Sequence, residues 1–206
     1  MDALVWSFML ILALLGVGGV GYGLWWSNRP APPPRMIEMQ VGSAKLVFPE
    51  TYKGPRLSDM AREVGMVRLR VMWPAMTSAG PTEKADVHVT VGAADPATDP
   101  AAQFATLARF VMPGAWSNPG GLVARSFKKG SPFEGEELFM APPGGEMFFA
   151  RCSSDAAVIK IEEGCRMVLK HDGVDIAVRF PREALTEWRA LAAGVRSLVD
   201  GFRHEG

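Results

Sequence analysis

The run from Ala3 to Trp26 carries no charged residue and closes on paired tryptophans. No other stretch limits so sharply what the chain can become. A hydrocarbon core about 30 Å thick takes about 20 helical residues to cross. Inside lipid each peptide group must find its partner within the segment, so helix is the expected form. Trp6 near one end and Trp25 and Trp26 at the other stand where amphipathic rings settle among headgroups. The expectation is a single N-terminal transmembrane helix over 1–28, with the lipid bilayer as its first partner. A cleaved signal peptide is the competing reading, but the run lacks a basic n-region. Ser27, Asn28, Arg29 and a proline run come after Trp26, with no Ala-x-Ala site.

Glycines crowd the second half of this span, and Gly16, Gly19 and Gly23 are the candidates for docking against another membrane helix. Gly19 and Gly23 form a small-xxx-small pair that lets backbones approach closely. Glycine is also simply common in membrane helices, which is the plainer explanation. Residues 16–21 spell G-x-G-x-x-G, but a hydrophobic span surrounds them and prolines come next in place of a crossover helix, so a nucleotide cradle is excluded. Other membrane-protein subunits are therefore the expected protein partners.

Pro30, Pro32, Pro33 and Pro34 make 29–36 an extended polyproline spacer, which fits this short single copy better than a signalling ligand does. At about 3.1 Å per residue it lifts the rest of the chain by about 20 Å. The remainder, 37–206, has the length of one ordinary domain with a real core. Acidic and basic residues balance at 22 each, so there is no electrostatic case for nucleic acid.

Cys152 and Cys165 have no C-x-x-C partner and no nearby histidine pair, so neither structural zinc nor any other metal or cofactor is expected. Each stands at the end of an apparent strand. A disulfide joins them if those strands are neighbours; two separate buried thiols are the alternative. A disulfide favours an oxidising compartment, whereas Arg29 and Arg35 after the span favour a cytoplasmic domain under the positive-inside rule. The expectation adopted is a single-pass protein of a bacterial inner membrane with its domain in the periplasm.

Apolar alternation marks strands at 36–48, 67–71, 87–91, 122–127, 137–141, 146–152, 165–170 and 174–180, with a short one at 158–161. Asp172-Gly173 is a tight hairpin signal, and Pro142-Pro143-Gly144-Gly145 is a turn. Helical spacing runs through 57–64, through 100–112 after Asp99 as N-cap and Pro100 at the first position, and through 181–202. In the last of these Leu185, Trp188, Ala192, Val195, Val199 and Phe202 form one stripe, read as a helix laid over the sheet. The fold class is α+β: a mainly antiparallel sheet covered by two or three helices, with the 100–112 and 182–202 helices on one face.

No motif names a chemistry. Arg68 and Arg70 share a strand face, His88 lies on the polar side of its strand, and Glu134, Glu136 and Glu137 read as a solvated acidic run. His171-Asp172 lacks a nominated nucleophile. Trp116, in a loop rich in Gly, Pro, Ser and Asn, is a candidate partner contact. The leading expectation is a non-enzymatic interaction or accessory subunit docking to a larger inner-membrane complex. The alternative is a membrane-tethered periplasmic enzyme or small-molecule sensor whose site gathers Arg68, Arg70, His88, Glu136 or His171 from distant positions.

Overall fold

The computed structural model describes residues 22, 25–29, 32–53, 65–80, 83–117, 120–154 and 164–203. The chain divides after Pro34 into two compact units. In the first, residues 25–27 are helical, Trp25 and Trp26 are exposed, and the Arg29 guanidinium stacks 3.8 Å and 4.4 Å from their ring centroids. Most of the expected span, including Trp6, Gly16, Gly19 and Gly23, lies outside the described residues. Among those described, no helix is long and apolar enough to cross a membrane. The helix expected at 57–64 and the strand expected at 158–161 likewise lie outside them.

The second unit opens with a hairpin of β1 (Met36–Val41) and β2 (Ala44–Pro49). Met36 thus belongs to a strand and not to the spacer. The 36–48 pattern reads as a single strand because alternation continues through the turn. Gly42, at φ +57°, reverses the chain where a side chain would be strained.

The remaining strands are β3 (Val67–Met72), β4 (Thr77–Ser78), β5 (Val87–Ala93), β6 (Trp116–Ser117), β7 (Val123–Ser126), β8 (Glu136–Met140), β9 (Phe149–Ser153), β10 (Cys165–His171) and β11 (Val174–Phe180). Among the described residues these nine form one sheet, ordered β4-β3-β5-β11-β10-β9-β8-β7-β6. Every paired neighbour is antiparallel. Sequential antiparallel neighbours pair from β6 to β11, and β11 then pairs with β5, far away in sequence, which joins that run to β3 and β4. At the β10–β11 hairpin Asp172 and Gly173 both take positive φ, 45° and 78°, the requirement of a two-residue primed turn.

Period-two alternation sorts the sheet into two faces. One set (Val67, Leu69, Val71; Val87, Val89, Val91; Ile176, Val178, Phe180) is buried under α2 (Trp188–Asp200) and the β1–β2 hairpin, in one cluster with Phe48, Trp188, Leu191, Val195 and Val199. Trp188 is 3% exposed, its ring 5.1 Å from that of Phe148, and its indole N–H donates to the Gly120 carbonyl at 2.9 Å. The hairpin docks to the end of α2 through Val47 N–H to the Phe202 carbonyl, 2.6 Å. A 3-10 turn, Arg182–Glu187, leads into α2, so only the second part of the expected 181–202 helix is α.

The helix α1 (Pro100–Leu107) takes the other face. Leu107 and Val111 cluster with Phe127, Leu138 and Phe149, whose immediate neighbours Phe139 and Ala150 belong to the first cluster. The two helices therefore sit on opposite faces, because each covers a different parity of the same strands. Asp99 makes no side-chain cap; its carboxylate lies 3.3 Å from Lys170. The side-chain cap is Asp95, accepting from Ala97 N–H at 2.9 Å in the preceding 3-10 turn.

Candidate functional site

On the side of the sheet turned away from α2 the register brings four arginines and a histidine into one row. Arg70 on β3 stands opposite His88 on β5, His88 opposite Arg179 on β11, Arg179 opposite Arg166 on β10, and Arg166 opposite Arg151 on β9. Directly paired residues project to the same side, and strands are spaced about 4.8 Å apart, so the row spans about 19 Å. Arg68 extends it sideways, two residues along β3 and opposite Thr90. Beyond Arg151 the row continues into Leu138, which is buried in the cluster with Leu107. The helix α1 thus closes one end and leaves the arginines beside it.

Like charges directly opposite one another destabilise a sheet, and Arg166 faces an arginine on each side. The structure braces the pair rather than separating it. Glu136 Oε1 lies 2.9 Å from the Arg166 guanidinium and its Oε2 lies 3.3 Å from that of Arg151. The Arg151 guanidinium also lies over the Phe133 ring, 4.8 Å from its centroid. Arg70 donates to the carbonyls of Gly80, at 3.0 Å, and Glu83. Burial lowers the pKa of Arg151, Glu136 pulls it back up, and Arg166 adds to the lowering. Its side chain is 18% exposed against 43% for Arg166, while Arg68, Ala177 and Arg179 are exposed.

Cys152 and Cys165 are bonded, with Cα atoms 4.0 Å apart. They are the directly paired residues next to Arg151 and Arg166, so the cross-link fixes register where two cations are forced together. Near the start of β11, opposite Lys170, Asp175 is 7% exposed and takes hydrogen bonds from Thr98 Oγ1 at 2.6 Å and Asp95 N–H at 2.9 Å. Lys170 Nζ lies 2.7 Å from it. Burial alone would raise the Asp175 pKa, but these donors outweigh it and hold the carboxyl below its ordinary value. For Lys170 burial acts downward, and the bonds and charges of Asp175 and Asp99 outweigh it, so its pKa is raised.

Arg68, Arg70, His88 and Glu136 are thus gathered on one face, while His171 is not with them. His171 continues the core-side parity of β10, and its Nε2 lies 2.6 Å from Asp200 Oδ1 at the end of α2. Ligand atoms of His171, Asp172 and Asp200 lie within 4.8 Å of one another, close enough to surround a cation. Arg203, however, has Nε 3.8 Å from Asp200 and donates to the carbonyls of His171 and Asp172 at 3.1 Å and 3.0 Å. A guanidinium already serves this group, which ties the hairpin turn to the helix end.

The acidic run is solvated only in part: Glu134 is exposed and accepts from Gly130 N–H at 2.7 Å, whereas Glu136 holds two arginines and Glu137 pairs with Arg182. Trp116 pairs with Ala124 through its backbone in β6, and its side chain lies outside what is described. Sequence reasoning missed Arg151, Arg166 and Arg179. The available signal was an arginine at the polar parity of each of these strands.

The guanidinium groups of the row stay protonated, so the arginines offer binding. Planar donors in line suit carboxylates, which they grip in pairs of parallel hydrogen bonds.

Among solved structures, the fold is similar to that of an immunity protein of the Stenotrophomonas maltophilia type IV secretion system, with a TM-score of 0.54 and 13% sequence identity. The alignment covers 82% of this chain and 94% of that one. At such identity the likeness is one of fold. No family model matches the chain, and no curated protein matches it in sequence.

Proposed function

We propose that this chain is a membrane-anchored protein-binding module, in the manner of an immunity protein, and not an enzyme. The observation that carries this is the arginine row. Arg179, Arg166 and Arg151 stand directly opposite one another, an arrangement that costs stability even though Glu136 and Phe133 brace part of it, and a feature that breaks a local stability rule points to function. A fold resembling that of an immunity protein supports a protein as the ligand. The uncharged run 3–26 would hold the domain at the bacterial inner membrane, and the disulfide favours its periplasmic side.

The test is purification of the full chain in mild detergent from its native membrane after chemical cross-linking. The expected result is a discrete heteromeric adduct, with the uncross-linked protein resisting alkaline extraction from the membrane. A chain that sediments alone and yields no adduct would defeat the binding reading. Release into plain buffer would defeat the anchor. A second reading, an accessory subunit of a larger complex held through the span, rests on Gly16, Gly19 and Gly23. It is favoured if adduct formation survives removal of the domain and is lost when those glycines are replaced by leucine.

A further inference from the structure

The cationic row also says what kind of surface the partner presents. We propose that the sheet face bearing Arg68, Arg70, Arg151, Arg166 and Arg179 is the docking surface, and that its occupant is an acid-rich protein segment with carboxylates in line. This rests on the protein-binding reading above and assigns the face and the partner chemistry.

Two features favour a protein over the other polyanions. Glu136 sits half-buried among the arginines, and Asp175 lies on the same face. Both acids are paired, Glu136 with Arg151 and Arg166 and Asp175 with Lys170, so positive charge is spread unevenly over the face, a pattern that a polypeptide can match with placed acids and that a uniformly charged phosphate backbone or lipid surface does not. The chain as a whole is also neutral, so it lacks the long-range field that draws nucleic acid. Arg179, Arg166 and Arg151 stand on strands about 4.8 Å apart, close to the spacing of about 5–6 Å between Cβ atoms three or four residues apart on a helix, and Arg70 lies two strands beyond Arg179. Bracing by Glu136 and by the Gly80 and Glu83 carbonyls orders Arg151, Arg166 and Arg70 in advance, which lowers the entropy lost on binding. An acidic helix laid across β3, β5, β11, β10 and β9 meets each arginine in turn.

The experiment has two arms, both on the full chain. In the first, a photo-reactive phenylalanine analogue replaces Ala177, exposed between Thr90 and Val168 on the arginine face, or Ala193, exposed on α2. Irradiation in the native membrane should give an adduct from position 177 that disappears in the Arg166→Gln, Arg179→Gln variant. Adducts only from position 193 would overturn this inference and leave the binding reading standing. Adducts from neither would overturn both.

In the second arm, fluorescence anisotropy measures the purified protein against a labelled helical peptide bearing glutamates three and four residues apart, and against its glutamine counterpart. The glutamate peptide should bind in a salt-sensitive way and lose about tenfold or more in affinity with the double variant. The exposed single change Arg68→Glu, which leaves the braced pair intact, should weaken binding in the same direction. Equal binding of the glutamine peptide, an unaffected double variant, or tighter binding of duplex DNA or phosphatidylglycerol vesicles would each overturn the proposal.

Discussion

The two faces of the nine-stranded sheet are made by the same strands, one residue apart, and they are put to opposite uses. Val67, Leu69, Val89, Val91, Ile176 and Val178 point into the cluster under α2 and are fully or nearly fully buried. Arg68, Thr90, Ala177 and Arg179 point the other way and are exposed or half-buried. Burying apolar area is the dominant favourable term in folding, so the first face holds the domain together. The second buries apolar area only under α1, where Leu138 and Phe149 meet Leu107, and over β3, β5, β11 and β10 it carries opposed arginines. Stability and recognition are separated by side-chain parity, and a change on one face should register differently from a change on the other.

Four measurements break or sharpen that contrast. Trp188→Ala removes a ring that is 3% exposed together with its bond to Gly120. It should cost about 3–5 kcal/mol in chemical denaturation, and a near-neutral result would mean that the α2 face is not the stabilising one. Replacing both Cys152 and Cys165 by alanine opens a closed loop of sequence separation 13 and should cost about 3 kcal/mol, read as an earlier urea midpoint with a slope no shallower than the parent's, since the uncross-linked chain unfolds to a less compact state.

Asp175→Asn should cost about 1.5–3 kcal/mol, the range for hydrogen bonds to a charged group. Because the folded pKa of Asp175 lies below its unfolded value, its contribution is present above the unfolded value of about 3.9 and is lost as pH falls through the folded one. The variant's acid limb should therefore be flatter than that of the parent between neutral pH and pH about 2; parallel limbs would remove Asp175 from the account. The smallest effect belongs to Arg166→Gln with Arg179→Gln. Thermal melting should move by about 0.5 kcal/mol or less per site, toward higher stability if relief of repulsion outweighs the lost contact with Glu136. A large loss would make the row structural.

What the sequence disclosed was local. Alternation at 67–71, 87–91 and 174–180 located strands and their core sides, Asp172-Gly173 located a hairpin, and the stripe from Leu185 to Phe202 located the covering element. Long-range facts were hidden because they depend on strand order. Arg68 and Arg70 visibly share a face, but Arg151, Arg166 and Arg179 join that face only once β9, β10, β11, β5 and β3 lie side by side. Glu136 and Glu137 look solvated in sequence because Arg151, Arg166 and Arg182 stand well away along the chain. Asp99 does take the N-cap position ahead of Pro100, but its side chain turns to Lys170 on β10, a partner that the local sequence does not show. The expectation of both helices on one face fails because amphipathicity says that an element is covered and not which side covers it.

The bond between Cys152 and Cys165 ties two positions of sequence separation 13 to one register position of adjacent strands. Because that covalent tie, and not the intervening chain, joins them, a short glycine-serine insertion between residues 157 and 158 should leave the neighbouring guanidinium pair in alignment and the anisotropy titration unchanged.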